Sequence, residues 1–112
     1  MQTNTAEEQE IEIIDSATLE MAAECLRTIA HPCRLQIIGI LMQQECSVGE
    51  LADFCNIPSN MASEHLRLLK DRGLLSNRRV GRKIFHAVAE PALASIIHCI
   101  KTRFSCGEQE IF

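Results

Sequence analysis

The chain has 112 residues, 46% hydrophobic and 23% charged, with a formal net charge of −4 at pH 7. Such a length suits one domain with a modest core, which gains from dimerising, and the composition excludes a disordered chain. No apolar run approaches the ~18 residues of a membrane span, and the N-terminus lacks the basic start and hydrophobic region of a signal peptide.

A cytoplasmic location is therefore expected, and in that compartment the six cysteines (Cys25, Cys33, Cys46, Cys55, Cys99 and Cys106) would be mostly reduced. No Cys-x-x-Cys occurs, so nothing points to a zinc ribbon or a thioredoxin-like centre. The charge is unevenly placed. Residues 1–20 hold six acids and no base, whereas residues 67–83 hold seven bases against Asp71 alone. A phosphate backbone meets that local field, not the sum.

Residues 1–15 read as an acidic flexible tail, with Ile11, Ile13 and Ile14 near its end. Ser16 is expected to cap a helix running to about Ala30, with Leu19, Ala22, Ala23, Leu26, Ile29 and Ala30 as its apolar stripe. Pro32 suits the first position of a second helix, where its missing N–H costs nothing. Leu35, Ile37, Ile38, Ile40, Leu41 and Met42 leave that helix almost no polar face, so it is expected at the centre of the core. Gly39 in its middle is expected to permit close helix packing.

Ser47 followed by Glu50 fits a capping box at the start of a third helix. Val48, Leu51, Ala52 and Cys55 fall on one face of it. Asn56-Ile57-Pro58-Ser59 breaks the pattern, since Pro58 discourages helix at Ile57. A fourth helix starts near Ser59 and stops at Gly73. Ala62, Leu66 and Leu69 form its apolar face. Ser59, Asn60, Ser63, Glu64, His65 and Arg67 form its polar face. A short helix, a tight turn and a second helix with one polar face of short hydrogen-bonding groups have the layout of a helix-turn-helix whose second helix enters the major groove. A helical hairpin with a merely solvated face stands beside that reading.

After Gly73 the period changes. Leu74–Val80 and Lys83–Ala89 read as two strands around Gly81-Arg82. Arg78, Arg79, Arg82 and Lys83 gather at the tip, where they do little for a core and much for phosphate contact. Glu90-Pro91 opens a last helix with Leu93, Ile96, Ile97, Ile100 and Phe104 along one side. Those residues exceed what a small core needs, so a two-fold dimer seam shared with the first helix is expected. Gly107 is expected to end this helix. The organisation expected is an N-terminal tail over 1–15, a winged-helix DNA-binding and dimerisation domain over 16–106, and a C-terminal tail over 107–112.

From about Leu19 to Phe104 the chain resembles the ArsR/SmtB family of dimeric winged-helix repressors. The segments AHPCRLQIIGIL, CSVGELADFCNIPSNMASEHLRLLKDRGLL and VGRKIFHAVAEP carry the resemblance. It implies a mainly α fold with a β-hairpin wing and homodimeric binding to an operator in double-stranded DNA; a two-fold dimer makes that operator an imperfect palindrome, and with no G-x-S-x-G, Walker loop or paired carboxylates in the chain an enzyme is not expected. By position, recognition-helix contacts are implied at Ser59, Asn60, Met61, Ser63 and His65, beside Arg67 on the same polar face. Wing contacts are implied at Arg78, Arg79, Arg82 and Lys83. Glu64 departs from the neutral amide common in the family; a carboxylate repels phosphate but accepts from cytosine N4.

The family's inducer sites do not carry over intact. The thiolate pattern of its third-helix metal site is replaced here by Ser47-Val48-Gly49-Glu50-Leu51. The last helix offers only His98 toward its histidine-carboxylate zinc site. The paired cysteines of its persulfide sensors meet Gly39 in the second helix, with Cys106 near the other place. No cofactor is required, and a thiophilic metal(loid), reactive sulfur species or oxidant acting on cysteine is the inducer class kept, because soft thiolates favour such ligands. Cys99 and Cys106 are the first candidate sensor thiols and Cys33 is the reserve. Cys25, Cys33, Cys55 and Cys99 have a packing role as the competing reading. Two further alternatives are a winged-helix protein-interaction module and a DNA-binding regulator with no metal or thiol inducer.

Overall fold

The structure, a computed structural model, describes residues 10–105. Among them, five helices and three strands follow in order: α1 Ser16–Ile29, α2 Pro32–Leu41, β1 Cys46–Ser47, α3 Val48–Cys55, α4 Ser59–Asp71, β2 Leu75–Val80, β3 Lys83–Val88 and α5 Leu93–Phe104. The mainly α architecture with a β-hairpin wing is thus as expected. Most of the acidic tail, Cys106, Gly107 and the C-terminal tail lie outside the described residues.

Asp15, not Ser16, is the N-cap of α1, and its carboxylate accepts from the Thr18 hydroxyl at 2.6 Å. The apolar stripe is largely open in the single chain. Ile29 is buried, whereas Leu19 and Leu26 are 50% and 52% exposed. The helix is tied down near its C-terminal end by Ile29 and by the Arg72–Glu24 ion pair at 3.3 Å.

α2 lies at the core, with Ile37, Ile38 and Leu41 buried. Pro32 opens it, and the His31 ring caps it by accepting the Cys33 N–H at Nδ1, 3.1 Å away. A Cβ placed on Gly39 would meet nothing within 4 Å. Among the described residues, no helix approaches closely there.

The capping box of α3 is complete. Ser47 Oγ accepts the Glu50 N–H at 3.3 Å, and Glu50 Oε1 accepts the Ser47 N–H at 2.9 Å. Asn56 ends the helix in the left-handed region at φ 57°. α4 ends at Gly73, φ +76°, where the Leu74 N–H reaches back to the Leu69 carbonyl at 3.1 Å. Leu51, Leu66, Leu69, Leu74, Leu75, Leu93 and Ile97 complete the core around α2.

The hairpin pairs Leu75↔Val88 through Val80↔Lys83 around Gly81-Arg82. Gly81 supplies the positive φ (+66°) that the tight turn requires. Sequence periodicity did not reveal β1. Cys46 and Ser47 pair with His86 and Phe85, which makes a three-stranded sheet in the order β1-β3-β2 and fixes the wing to the start of α3. α5 begins at Leu93, after a turn in which Glu90 Oε2 accepts the Ala92 N–H. Leu93 and Ile97 are buried, and Phe104 is 62% exposed.

Candidate nucleic-acid interface

α4 presents its two faces sharply. Ala62, His65, Leu66 and Leu69 are buried, while Ser59, Asn60, Met61, Ser63, Glu64 and Arg67 are exposed. Short polar side chains on a helix that protrudes from its own core can reach base edges without steric conflict. Met61 is 45% exposed at the same end.

His65 corrects the expected polar face. It is 8% exposed and points toward the start of α2. Its Nδ1 accepts from Arg34 Nε at 3.1 Å, and its ring lies 4.8 Å from the His31 ring. Arg34 is anchored in turn by donating Nη1 to the Thr28 carbonyl at 2.8 Å. This network holds α4 against the α1–α2 corner and takes His65 away from the groove face. Helical position alone did not disclose this, because the burying partners are more than thirty residues away in sequence.

Burial holds the His65 imidazole below its ordinary value of 6.5, with His31 and the Arg34 cation adding to the effect. The unfolded chain therefore takes up this proton more readily than the folded one. Folding stability is expected to be fully present above about pH 6.5 and to be lost as pH falls through the lowered folded value. Urea midpoints near pH 7.5 and pH 5.5 check this. His65→Gln, which keeps an acceptor for Arg34 but does not titrate, should shrink the difference between them.

The basic residues divide into two groups. Arg67 is paired with Glu64 at 2.6 Å and Asp71 at 3.3 Å. Arg78 is paired with Glu45 at 2.8 Å and lies over the Phe85 ring at 5.7 Å. By contrast Lys70, Arg79, Arg82 and Lys83 have no ion-pair partner among the described residues. Hairpin register explains the split. Arg78 stands opposite Phe85 on one face, whereas Arg79 stands opposite Ile84 and Asn77 opposite His86 on the other. Lys70 is one of the seven bases in residues 67–83. It lies on the α4 face that carries Ser63 and Arg67, and these three line a cleft toward the wing.

A helix-turn-helix family model matches residues 29–78, which span α2 through most of β2. The biofilm growth-associated repressor of Xylella fastidiosa strain Temecula1 is 30% identical over 98% of this chain and 96% of its own length. The chain belongs to the ArsR/SmtB family of helix-turn-helix transcriptional regulators. The transcriptional repressor SmtB of Mycobacterium tuberculosis is 35% identical over 70% of this chain, which spans 58% of that relative's length. Among solved structures, a homodimeric winged helix-turn-helix DNA-binding domain from Mycobacterium bovis superposes with a TM-score of 0.73 at 25% identity, over 90% of this chain and 95% of that one.

In this ArsR/SmtB-family chain the cysteines occupy unlike places. Cys46 is fully buried, Cys25, Cys33 and Cys55 are half-buried, and Cys99 is exposed on α5. Burial pushes the Cys46 and Cys55 thiols up, and the Cys33 thiol beside Cys55 adds to its rise. Cys33 thus faces Cys55, a proximity between α2 and α3 that spacing could not show. Among the described residues no three His, Cys, Asp or Glu side chains converge on a metal-sized site.

Proposed function

We propose that the protein is a sequence-specific transcriptional repressor that binds duplex DNA as a two-fold homodimer. α4 lies in the major groove, with Ser59, Asn60, Met61 and Ser63 toward base edges, and the wing lies on the backbone. The observation that carries this reading is the group of wing cations Arg79, Arg82 and Lys83, without ion-pair partners among the described residues, set beside the exposed polar face of α4. Arg67 and Arg78 join the phosphate contacts by exchanging solvent-exposed ion pairs, which contribute little to stability and are easily replaced. Two recognition helices related by a two-fold axis meet grooves ~34 Å apart, so the operator is an imperfect palindrome. Acting on promoter DNA places the protein in the cytoplasm. Its relatives carry the names of repressors, and no catalytic role is assigned.

The salt dependence of DNA binding tests this reading. Arg82→Ala with Lys83→Ala should weaken binding to operator and random duplex alike and reduce the slope of log K against log salt by ~0.9 per lost contact. Asn60→Ala or Ser63→Ala should instead reduce the ratio of operator to random affinity. A wild-type affinity that ignores salt and shows no promoter footprint would favour a protein-interaction module.

α1 supports the dimer. This 14-residue helix exposes Leu19 and Leu26, which are seven residues apart and share one face. An isolated helix of such length is marginal in water, so a second copy covering that face accounts for its order. Regulation by ligand, where it occurs, runs through thiols. Cys99 is open to reagents on α5, and Cys33 is set against Cys55. Operator release by arsenite, copper or a persulfide donor should be lost in Cys99→Ser with Cys106→Ser. If it is lost instead in Cys33→Ser, the inner pair is the sensor, and no release in wild type removes these inducers.

A further inference from the structure

A cleft of about 800 Å³ opens between the start of α3, the outer face of α4 and the wing. Its volume is that of a small-molecule site, which is typically apolar with a few convergent polar groups. Val48, Leu66 and Ile84 supply apolar wall from three different elements. Leu66 is nearly closed off, but Ile84 is 38% exposed on the wing and looks inward with His86, two residues along the same strand face. Phosphate contact explains cations on this surface. It does not explain an apolar wall.

The charge in the cleft is more selective than that of the wing as a whole. Lys70, Arg82 and Lys83 line it without ion-pair partners among the described residues. Arg67 also lines it, but its guanidinium is engaged by Glu64 and Asp71, which do not. Two carboxylates, Glu50 and Asp53, are present as well. Glu50 is engaged by the Ser47 N–H in the capping box. Lys70, Arg82 and Lys83 thus outnumber Glu50 and Asp53 in the lining, which suits an anionic head on an otherwise apolar molecule. His86, held below its ordinary range by burial and by Lys70, adds an uncharged hydrogen-bonding group to the wall.

We propose that this cleft binds an apolar monocarboxylate, a small molecule with one anionic head and an alkyl or aryl body, and that its occupant excludes DNA. The head is held by Lys70, Arg82 and Lys83, and the body lies against Val48, Leu66 and Ile84. Exclusion follows because Ser63, Arg82 and Lys83 serve both sites. This second half rests on the DNA-binding reading above, whereas occupancy of the cleft does not.

Decanoate is the probe, with decanol as its uncharged counterpart. Titration of the ¹⁵N-labelled full chain should shift the amides of Gly49, Lys70, Ile84 and His86 in a saturable way. Decanol should bind at least tenfold more weakly. Lys70→Ala and Ile84→Asn, both at exposed positions, should each weaken decanoate at least several-fold while preserving the dispersed spectrum. Decanoate should also release fluorescent duplex DNA over the same concentration range. Shifts confined to α1 and α5, no shifts at millimolar decanoate, or equal binding of decanol would overturn the site. Binding in the cleft with no release of bound DNA would overturn the exclusion. If the unliganded protein binds no DNA at all, the repressor reading fails, and the amide titration still decides whether the site exists.

Discussion

Leu69→Ala is expected to lower the unfolding free energy by about 2–5 kcal/mol, the range for deleting a fully enclosed leucine side chain. Leu69 is 0% exposed and packs in the cluster with Ile37, Ile38, Leu51 and Leu74. Its carbonyl also accepts the Leu74 N–H that closes the turn after α4. A cavity there loosens the recognition helix at the end where the chain enters the wing. Against a total of about 5–15 kcal/mol for an ordinary domain, the loss is a large fraction, and the melting temperature should fall by roughly 8 °C or more. Leu68→Ala next to it, half-buried, should cost distinctly less. The check is denaturant unfolding at fixed protein concentration, since a dimer's apparent stability depends on concentration. A loss below ~1 kcal/mol with an unchanged m-value would mean that Leu69 does not occupy the core position described.

The parts of the fold legible in the sequence are those set by local rules. The Ser47–Glu50 capping box, Pro32 at the start of α2, Gly73 after α4 and the Gly81-Arg82 turn each act within a few residues, and each stands where local chemistry put it. What escaped depends on distant partners or on length. β1 is two residues long, too short for any period, and exists because β3 offers it hydrogen bonds. His65 sits at a helical position bordering both faces, and Arg34 and His31 decide its burial. The apolar stripe of α1 is legible as a stripe, but periodicity reports that a face is apolar, not what covers it.

The same distinction applies to the candidate interface. A run of seven bases indicated where phosphate would be met, but strand alternation and ion pairing decide how each base is used. Arg78 and Arg79 are adjacent in sequence but lie on opposite faces of the strand. One braces the wing against Glu45, and the other, on the face with Ile84, has no ion-pair partner among the described residues. Lys70 gained its place from the α4 face it shares with Ser63, and the Cys33–Cys55 proximity comes from packing of α2 on α3. Neither could be obtained from counting residues.

Replacing Leu19 and Leu26 together by Asp is expected to yield a folded monomer that no longer holds an operator. Both side chains are about half exposed, so the substitutions leave this chain's own core intact. They place two charges on an apolar helix face that a second copy would cover, where an unpaired charge is strongly disfavoured. One recognition helix then engages one half-site alone. Losing the tethered second engagement removes the gain of effective concentration, which is commonly 10²–10⁴ in affinity. Sedimentation at micromolar concentration should change from dimer to monomer, and operator affinity should fall by roughly 10²-fold or more. Binding to random duplex should keep a salt dependence with about half the wild-type slope, because each protomer retains its own wing cations. A double variant that stays dimeric would move the seam away from α1. A monomer that binds the operator undiminished would show that one protomer suffices, and the palindromic site would then have no basis.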